Sequence, residues 1–426
     1  MSGSRLTTLI FIGMILGIAV GYLCSVTWPD PQTAKMIAGY IALISDIFLR
    51  LIKMIIAPLV FSTLVVGIAH MGDTASVGRV GGKALLWFVG ASFCSLLLGL
   101  VLVNLLEPGQ NLNLPLPDAG AGTGLKAASL SLKEFVTHLV PKSAVEAMAN
   151  NEILQIVVFS IFFGVALAAL GEKGHLLAQG IEGLADVMLK ITGYVMLFAP
   201  VAVFAAIAAT ITTQGIGVLL TYGKFMVMFY LGLATLWVLL MAVGALLVGA
   251  GGITRLVNLI KEPFVLAFST ASSEAAYPKL LSNLERFGVP NKITSFVLPM
   301  GYSFNLDGSM MYCTFAVMFI AQAYNIPLTW GQQFTMLLLL MVTSKGMAGV
   351  PRASLVVISA TLSHFNIPEA GLLLIIGIDQ FLDMGRSATN VLGNSVATVA
   401  VAKWEGQLTM TDQRLDHAGV APAPAE

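Results

Sequence analysis

The stretch GLLLIIGIDQFLDMGRSATNVLGNSVATVAVA, residues 371–402, decides the fold of this chain. It is apolar over the length of a membrane crossing, yet it carries two aspartates and an arginine near its middle. At 100° per residue its polar side chains fall within an arc of roughly 100°: Asp379, Asp383, Arg386, Ser387, Asn390 and Asn394. A charge at that depth costs at least ~2.5–3.5 kcal/mol, so it persists where a cavity, a partner or a substrate receives it. The stretch therefore predicts a helix that binds something polar inside a membrane.

The composition is that of a polytopic membrane protein. Of 426 residues, 57% are hydrophobic and only 10% are charged, whereas a soluble domain has about 25% charged residues. At roughly 20 residues per crossing, the chain holds about eight spans plus shorter re-entrant pieces. The formal net charge is zero, which argues against nucleic acid as a partner. Neither the three cysteines nor the five histidines have the spacing of a disulfide framework or a metal centre.

The two ends of the chain are predicted to be cytoplasmic. Residues 7–26 follow a single Arg and lack a small-residue cleavage site, so we interpret them as a retained first span and not as a signal peptide. Lys and Arg fall in short loops and flanks, and both termini lie inside if those loops are cytoplasmic. The polar, proline-rich tail is expected to be disordered.

Five more apolar segments precede a change of pattern at residue 250, and they run at about 36–70, 82–106, 152–170, 180–212 and 219–250. The first of them is longer than one perpendicular span and carries Pro58, so it must tilt or kink. Its charges near the middle are interpreted as structural. Residues 107–130 lack periodicity and are rich in Gly, Pro and Asn, which predicts an outer loop.

After residue 250 the sequence contains two tandem units. Long helices are predicted at about 290–325 and 370–405, each interrupted by polar residues at mid-depth. Each follows an apolar stretch with small polar residues at its centre, EPFVLAFSTASSEAAYPKLL at 262–281 and FTMLLLLMVTSKGMAGVPRASLVVISATL at 334–362. Their arms are too short to cross a membrane alone, so both stretches are predicted to be re-entrant hairpins. Broken helices of this kind are typical of secondary transporters.

Three polar segments are candidates for binding. The hydroxyls and backbone N–H groups of the first tip, 269–274, suit a carboxylate, although small residues there also permit close helix packing. The second tip, 344–352, is expected to be a mobile lid with Arg352 placed to reach an anion, or alternatively a solvated loop. Residues 305–309, NLDGS, favour local unwinding and an oxygen site for Na⁺, with a capped kink as the alternative.

Asp383 and Arg386 are spaced i, i+3 and can simply pair with each other. Alternatively, Asp383 takes an ammonium group and Arg386 grips a carboxylate through its planar fork. An acidic α-amino acid offers both groups and leaves its α-carboxylate for the first tip. Other interpretations are a C4-dicarboxylate held by Arg386 and Arg352, a substrate sensor without transport, and an intramembrane aspartyl protease, whose GxGD-type signature is missing.

Four motifs in order resemble the dicarboxylate/amino acid:cation symporter family, the glutamate/aspartate transporters: STASSEAAYP (269–278), GYSFNLDGS (301–309), SKGMAGVPRAS (344–354) and DQFLDMGRSATNVLGNSVATVAVAKWEG (379–406). The resemblance covers nearly the whole chain and is closest to bacterial proton/sodium-glutamate symporters. It implies an all-α polytopic fold of eight transmembrane helices plus two re-entrant hairpins, built as an inverted-repeat elevator. It also implies a homotrimer in the lipid bilayer of the cell inner membrane.

The resemblance also implies how the chain divides. Residues 1–81 (spans 1 and 2) and 107–218 (outer loop, spans 4 and 5) would form a static scaffold. Residues 82–106 (span 3) and 219–408 (span 6, first hairpin, span 7, second hairpin, span 8) would form the moving transport unit. Residues 409–426 would be the disordered cytoplasmic tail.

By resemblance, Ser272 and Ser273 hold the substrate's α-carboxylate, Asp383 its amino group and Arg386 its side-chain carboxylate. The remaining implied substrate contacts are Ser309, Gly349, Val350, Ser387 and Asn390. Family members with a neutral residue at the Arg386 position prefer neutral amino acids. C4-dicarboxylate carriers usually lack the aspartate at the Asp383 position, so the resemblance favours glutamate or aspartate.

The implied cation positions depart from the sodium-coupled pattern. They are Ser92, Gly301, Ser303, Asn305, Leu306, Asp307, Ser344, Met347, Asn390 and Asn394. The family places an aspartate at the Asn394 position, and a tyrosine and a threonine where this chain has Phe88 and Ala91. Proton coupling, with Glu274 or Asp383 as the carrier, is therefore an alternative to Na⁺ or an addition to it. Cys313 occupies the position of the proton-carrying glutamate of vertebrate members, so that route is absent, and the roles of Lys345 and Arg352 stay open.

The sequence thus predicts a secondary active symporter that imports acidic amino acids, driven by a proton gradient, a sodium gradient or both. A C4-dicarboxylate:cation symporter is the alternative. No enzymatic activity and no cofactor are expected beyond the coupling ions H⁺ and Na⁺.

Overall fold

A computed structural model of the protein describes residues 3–69, 74–110, 137, 139–215, 222–344 and 353–409. Within these residues every regular element is helical, which confirms the predicted all-α class. The first half contains α1 (Gly3–Thr27), α2 (Pro31–Ala69), α3 (Thr74–Leu106), α4 (Ala144–Ala149), α5 (Ile153–Ala169), α6 (His175–Val195) and α7 (Ala199–Gln214). The second half contains α8 (Gly223–Thr270), α9 (Ser273–Phe287), α10 (Asn291–Phe304), α11 (Asp307–Ala323), α12 (Trp330–Thr343), α13 (Ala353–His364), α14 (Leu373–Ile376) and α15 (Asp379–Trp404).

Six helical stretches in the described part of the chain are long and apolar enough to cross a membrane. They are Thr8–Thr27, Pro31–Ala69, Ser76–Leu106, Gly171–Gln214, Gly223–Thr270 and Asn291–Ala323. Most of α13 and all of α5 are apolar but shorter, while α15 has the length of a span and carries charges. The fold is therefore that of a multi-pass membrane protein, and the number of eight spans stays a prediction.

The chain turns back on itself at the end of α8, where the first hairpin is predicted. Gly249 interrupts α8 with φ 76° and ψ 168°, a conformation open to glycine, and separates a long apolar helix from a shorter arm. That arm ends before Ala271, which takes a left-handed φ of 50°, and α9 begins at Ser273. The Asn283 amide donates to the Leu259 carbonyl at 2.8 Å, so a hydrogen bond joins the two arms.

The two arms of the second predicted hairpin are α12 and α13, which are 14 and 12 residues long. Neither arm alone reaches the length of a membrane crossing. A capping box starts α12, because the Thr329 hydroxyl accepts the N–H of Gln332 while the Gln332 side chain accepts the N–H of Thr329. The arms pack against each other and against α11.

Residues 371–402 do not form one helix, because the long helix predicted at about 370–405 is divided at Gly377 and Ile378, ahead of the polar residues predicted to interrupt it at mid-depth. The chain passes through a 3₁₀ turn, the short α14 and then Gly377 before α15 begins at Asp379. Glycine weakens a helix, and aspartate in a first turn is favoured by the helix dipole. Asp379 therefore starts a helix instead of lying near the middle of one.

The apolar stretch predicted at 180–212 is likewise two helices. Met196–Phe198 form a 3₁₀ turn after α6, and α7 begins at Ala199 with Pro200 in its first turn. Proline lacks an N–H group and is best tolerated where a helix begins, so the break falls there. The break predicted within 290–325 is present between α10 and α11.

A stripe of glycines spaced four residues apart brings α1 against α7. A Cβ at Gly13 would lie 2.5 Å from the Pro200 carbonyl oxygen, and one at Gly17 would lie 2.7 Å from that of Phe204. Gly21 continues the stripe. Because no side chain separates the two backbones, α1 and α7 pack closely along their length. Beside them, α2 packs against α5, α6 and α7.

The centre of the second half is α15. It packs along α8 and against α9, α10 and α11. Every residue from Gly385 to Ala402 is buried. The polar face predicted for this helix is therefore enclosed by protein over most of its length.

Ion pairs fix the C-terminal end of α15 to the beginning of α3. The Glu405 carboxylate is 2% exposed and lies 3.0 Å from Arg79 Nε and 2.7 Å from Lys83 Nζ. Lys83 also donates to the Trp404 carbonyl at 2.7 Å. Burial alone would raise the pKa of Glu405, but hydrogen bonds from Lys83 and Arg79 outweigh it and hold the pKa below its ordinary value.

We expect Glu405→Gln to lower the melting temperature of the purified protein by about 1–3 °C at pH 7, because two cations lose their shared anion. A carboxyl with a depressed pKa stabilises the fold above its ordinary pKa of 4.5, and this contribution is lost as the pH falls through the depressed value. The difference between variant and wild type should therefore shrink in thermal unfolding measured below pH 4.5. Glu182→Gln, on the exposed face of α6, is the control, and an equal drop there would contradict the assignment.

Candidate functional site

The polar face of α15 starts at its N-terminus and runs into the protein. Five of its six polar side chains are buried, namely Asp379, Arg386, Ser387, Asn390 and Asn394. The Asp383 side chain is 36% exposed and is the one that opens to the surroundings. Hydrogen bonds and ring contacts of these side chains reach α10 and α11, so the face points towards those two helices.

Arg386 lies between two carboxylates and an aromatic ring. Its Nη2 lies 3.0 Å from Oδ1 of Asp379 and 3.0 Å from Oδ1 of Asp383. Its Cζ lies 4.0 Å from the centre of the Tyr312 ring, a cation–π contact. The Tyr312 hydroxyl donates to Asp379 Oδ1 at 3.1 Å. The i, i+3 pair that the sequence leaves open is therefore formed, and Asp379 joins it.

Two nitrogens of the same guanidinium are not used. Arg386 Nε and Nη1 are buried and have no hydrogen-bond partner among the described residues. Buried donors are normally paired, and an unpaired one costs about 1–3 kcal/mol. The free donors would suit an anionic ligand group. The cluster contains two carboxylates, Asp379 and Asp383, and one guanidinium, so its formal charge is −1. Of the two carboxylates, Asp383 is the more exposed.

Tyr312 and Asp379 are absent from the predicted set of site residues. Asp379 lies in the predicted polar arc, without a predicted role in substrate or cation binding. Tyr312 follows Ser309 by three residues on α11, hence one helical turn beyond the polar break. That spacing is the sequence signal by which it could have been identified.

The first hairpin tip places Ser272 and Ser273 at the N-terminus of α9. Ser272 is the N-cap residue, and its Oγ accepts a hydrogen bond from the N–H of Ala275 at 3.3 Å. A hydroxyl that accepts in this way can still donate its own proton. The helix dipole and the first-turn N–H groups favour an anionic group at this end. The helix that begins at this tip, α9, packs against α15, which carries the polar face.

Asn305 and Leu306 separate α10 from α11, and polar groups of three helices meet there. Ser95 donates to Asp307 Oδ1 at 3.2 Å, and Asn305 Nδ2 donates to Asp307 Oδ2 at 3.1 Å. Asn305 Nδ2 also donates to Asn394 Oδ1 at 3.2 Å. In the described part of the chain, Asn305 Oδ1 and Asn394 Nδ2 are buried without a partner. The cluster is rich in oxygen, as a hard cation requires.

Ser95 is missing from the predicted cation residues, whereas Ser92 is among them. The Ser92 hydroxyl donates to the Phe304 carbonyl at 3.3 Å, at the same break. Ser92 and Ser95 are one helical turn apart on α3, so their spacing is the signal that could have identified Ser95.

Two glycines allow the polar groups to approach. A side-chain carbon at Gly301 would collide with the Asn394 carboxamide, and one at Gly393 would collide with the Asp307 carboxylate. The predicted cation residue Gly301 therefore provides space. Its carbonyl accepts the N–H of Asn305 at 2.8 Å and ends α10.

Asn390 connects the two polar clusters. Its Oδ1 accepts the N–H of Gly308 at 3.0 Å, and its Nδ2 donates to Ser309 Oγ at 3.4 Å. Asn390 lies one helical turn from Arg386 on α15, and Gly308 follows Asp307 directly. One side chain thus joins the arginine cluster to the oxygen-rich break. Ser387 is buried beside Arg386.

The structure describes only part of the predicted backbone cation site, because Met347 lies outside the described residues. Ser303 Oγ is buried and has no hydrogen-bond partner within the described ranges. The Leu306 carbonyl accepts the N–H of Met310 at 2.8 Å. Ser344 is buried at the end of α12, where its hydroxyl donates to the Met341 carbonyl at 3.3 Å.

The predicted lid falls outside the described residues. This applies to Lys345, Met347, Gly349, Val350 and Arg352.

Glu274, a predicted proton carrier, lines a narrow cleft between the first hairpin and α2. The other residues of this cleft belong to α2, α5, α9 and α10, and none of them belongs to α15. Asp383, the second predicted carrier, therefore does not line this cleft.

In the described part of the chain, no three side chains of His, Cys, Asp or Glu come together as a metal cluster. The oxygen-rich break offers amide, hydroxyl and carboxylate oxygens instead. Such ligands suit a hard cation and do not suit a transition metal.

The chain matches the model of the "Sodium:dicarboxylate symporter family" over residues 6–404. It is 42% identical to the "Proton/sodium-glutamate symport protein" of Bacillus caldotenax over 405 residues, which is 93% of this chain and 94% of the relative. The protein of the same name from Geobacillus stearothermophilus is 42% identical over 403 residues, with the same coverage of both chains. The "C4-dicarboxylate transport protein" of Citrifermentans bemidjiense is 41% identical over 418 residues, 95% of this chain and 92% of the relative.

These matches extend over nearly all of both sequences, and they confirm the resemblance inferred from the four motifs. The chain belongs to the sodium:dicarboxylate symporter family and is a membrane transporter, not an enzyme.

Proposed function

We propose that this protein imports acidic amino acids, glutamate or aspartate, across the cell inner membrane by symport with H⁺, Na⁺ or both. The observation that carries the proposal is the buried Arg386 with unused donors beside the half-exposed Asp383. The relatives named as proton/sodium-glutamate symport proteins support the substrate class.

The charges of the cluster match those of the substrate. Arg386 would bind the side-chain carboxylate through the donors that are free, and Asp383 would bind the ammonium group. The α-carboxylate would then meet Ser272 and Ser273 at the helix N-terminus of the first tip. Ser309, Ser387 and Asn390 would complete the site, and Gly349 and Val350 would close over it.

Transport would need no covalent step, because coupled binding and alternating access are sufficient. We propose eight spans and two re-entrant hairpins, with both termini cytoplasmic. Residues 1–81 and 107–218 would form the static scaffold, and residues 82–106 and 219–408 would move as the transport unit. The assembly would be a homotrimer, as the family resemblance implies.

A C4-dicarboxylate symporter is the second candidate, since relatives with that name are 41% identical to this chain. A dicarboxylate has no ammonium group for Asp383 to bind. Its two carboxylates would need two cationic partners, for which Arg386 and Arg352 are available. Asp383 therefore separates the two candidates.

We expect Asp383→Ala to lower the apparent affinity for L-aspartate by about 30-fold or more. Losing one partner of a desolvated charge pair costs about 2 kcal/mol at the lower end, which is roughly that factor. The measurement is uptake of labelled L-aspartate and labelled succinate into proteoliposomes that contain the purified variant.

Asp186→Ala, on an exposed position of α6, is the control for removal of an aspartate and should leave both uptakes unchanged. The dicarboxylate candidate would be established if both the wild type and Asp383→Ala take up succinate and neither takes up aspartate.

The coupling ion is proposed to bind at the oxygen-rich break. Asp307 and Asn305 lie there with Ser95, and Asn394 contributes an amide where a carboxylate would bind Na⁺ more strongly. An amide in that place weakens the attraction for Na⁺ because it carries no charge. We therefore propose that a proton gradient alone can drive uptake in the wild type.

We expect Asn394→Asp to increase the sodium dependence of aspartate uptake, because a second carboxylate would join Asp307 around the break. The measurement compares uptake under an inward sodium gradient with uptake under an inward proton gradient in the absence of sodium. Wild-type uptake should proceed under the proton gradient alone.

Asn258→Asp, at an exposed position of α8, introduces the same change away from the break and should leave the ion dependence as it is in the wild type. Strict sodium dependence of the wild type would contradict the proposed proton coupling. It would mean that Asp307 and the neighbouring oxygens are sufficient for Na⁺.

A further inference from the structure

The first part of α8, residues 223–248, lies against α15 and against the hairpin arm, residues 250–270, which α8 forms after Gly249. Tyr230, Trp237 and Gly244 follow one another at intervals of seven residues, so they lie on one face of this helix. Each of the three is in contact with both α15 and the hairpin arm, and we call them the spacer positions.

Tyr230 is the spacer position closest to the tip of the first hairpin. Its hydroxyl donates to the Phe381 carbonyl of α15 at 2.5 Å. Its ring lies against Gly385, where a Cβ would be 2.9 Å from Tyr230 Cε1. The same ring packs edge to face against Phe268 of the hairpin arm, with centroids 6.5 Å apart. Asp383 is two residues from both contacts on α15, so it points to the opposite side of that helix.

Trp237 repeats this arrangement two helical turns further along α8. Its Nε1 donates to the Thr389 hydroxyl of α15 at 2.7 Å, and its ring packs edge to face against Phe264 of the hairpin arm at 5.3 Å between centroids. The Thr389 hydroxyl donates in turn to the Gly385 carbonyl at 2.8 Å. A chain of hydrogen bonds therefore joins Trp237 to the residue against which the Tyr230 ring packs.

Gly244, the third spacer position, has no side chain. A Cβ there would lie 2.6 Å from Ile253 Cδ1 of the hairpin arm and 3.8 Å from Val396 Cγ2 of α15. Both neighbours therefore reach the backbone of α8 at this end. Towards the hairpin tip, a tryptophan and then a tyrosine occupy the equivalent positions, so the residue that contacts both neighbours becomes an aromatic ring.

Aromatic residues at helical spacing are most often simple core packing. Here the polar tips of both rings argue for more than packing, because both donate to α15 within the single stretch 381–389. That stretch carries Asp383, Arg386 and Ser387 of the proposed substrate site. The two rings thus hold the segment that presents these side chains.

The proposed substrate lies between the same two elements. Its α-carboxylate would meet Ser272, four residues beyond Phe268, and its side-chain carboxylate would meet Arg386, which directly follows Gly385. The length of a compound that bridges the two groups therefore depends on how far the hairpin arm lies from α15.

We propose that Tyr230 and Trp237 determine the length of the acidic substrate that this transporter accepts. They hold α15 through hydrogen bonds and the hairpin arm through ring contacts, and they thereby fix the distance between the groups that bind the two carboxylates. Aspartate and glutamate differ by one methylene, for which a rigid site can discriminate by about 10–200-fold. Both residues act through others and are positioning residues. The inference rests on the proposed function and adds to it the residues that choose between its two substrates.

The test measures KM and kcat for uptake of labelled L-aspartate and labelled L-glutamate into proteoliposomes that contain the full-length protein. Tyr230→Phe and Thr389→Val each remove a hydrogen bond and keep the size of the side chain. We expect each to move the ratio of the two KM values towards one by roughly two- to tenfold, the effect of one hydrogen bond. Trp237→Phe should act like Thr389→Val, and combining them should add nothing, because they break the same bond.

Tyr40→Phe on α2 and Thr235→Val on α8 are matched controls at exposed positions and should keep the ratio of the wild type. A merely structural role would raise both KM values by the same factor or lower kcat alone. Either of these results in both Tyr230→Phe and Thr389→Val would overturn the proposal. Equal KM values in the wild type would also overturn it, since a fixed distance must discriminate.

The proposed function and the spacer role can fail separately. If neither amino acid is taken up, the proposed function is contradicted, and the spacer role is measured with succinate and glutarate, which differ by the same methylene. A changed ratio for that pair would support the role of Tyr230 and Trp237, and an unchanged ratio would contradict it.

A second measurement needs no substrate. Spin labels at Lys261→Cys of the hairpin arm and Gln380→Cys of α15, both exposed, report the separation of the two elements by pulsed electron paramagnetic resonance. The background carries Cys24→Ser, Cys94→Ser and Cys313→Ser. The distance distribution should broaden in Tyr230→Phe/Trp237→Phe and stay as in the wild type in Tyr40→Phe. An unchanged distribution in the double variant would refute the proposal whichever compound the protein carries.

Discussion

A guanidinium keeps its charge at any physiological pH, so the burial of Arg386 constrains everything around it. Removing such a charge from water costs several kcal/mol unless opposite charges and hydrogen bonds replace the solvent. Two aspartates and the Tyr312 ring meet that requirement. Asp379 is the first residue of α15 and reaches Arg386 because it lies two turns earlier on the same face of the helix. Asp383 lies one turn before Arg386. The point at which α15 begins therefore determines whether Asp379 can neutralise the buried guanidinium.

Close packing determines which polar groups meet at the break between α10 and α11. Backbone groups that leave a helix inside a membrane protein need partners, and here the surrounding side chains are amides, hydroxyls and one carboxylate. They meet because Gly301 and Gly393 carry no side chain at the points where α10 and α11 touch α15. A larger residue at either position would separate Asn394 and Asp307 from the break. Small residues therefore set the distance at which an ion could be held.

Much of this arrangement can be predicted from the sequence, because the helical period places the charges of residues 379–394 on one face and Asx residues weaken a helix wherever they cluster. What could not be predicted depends on contacts between distant segments. Ser95 reaches Asp307 from a helix that is 212 residues away in sequence. The contact of the Tyr312 ring with Arg386 depends on how α11 is rotated against α15. The direction of Glu274 depends on the left-handed turn at Ala271, which orients the first turn of α9 towards α2.

Asn390 contacts both polar clusters, so binding at one cluster can affect binding at the other. Its carboxamide holds the backbone beside Asp307 and the Ser309 hydroxyl, and its helix turn carries Arg386. Any ligand that shifts this side chain at one cluster changes the free energy of binding at the other. By reciprocity, the factor by which an ion tightens the binding of substrate equals the factor by which substrate tightens the binding of the ion. In the proposed symport, this hydrogen-bonded amide would be one route by which the binding of ion and the binding of substrate depend on each other.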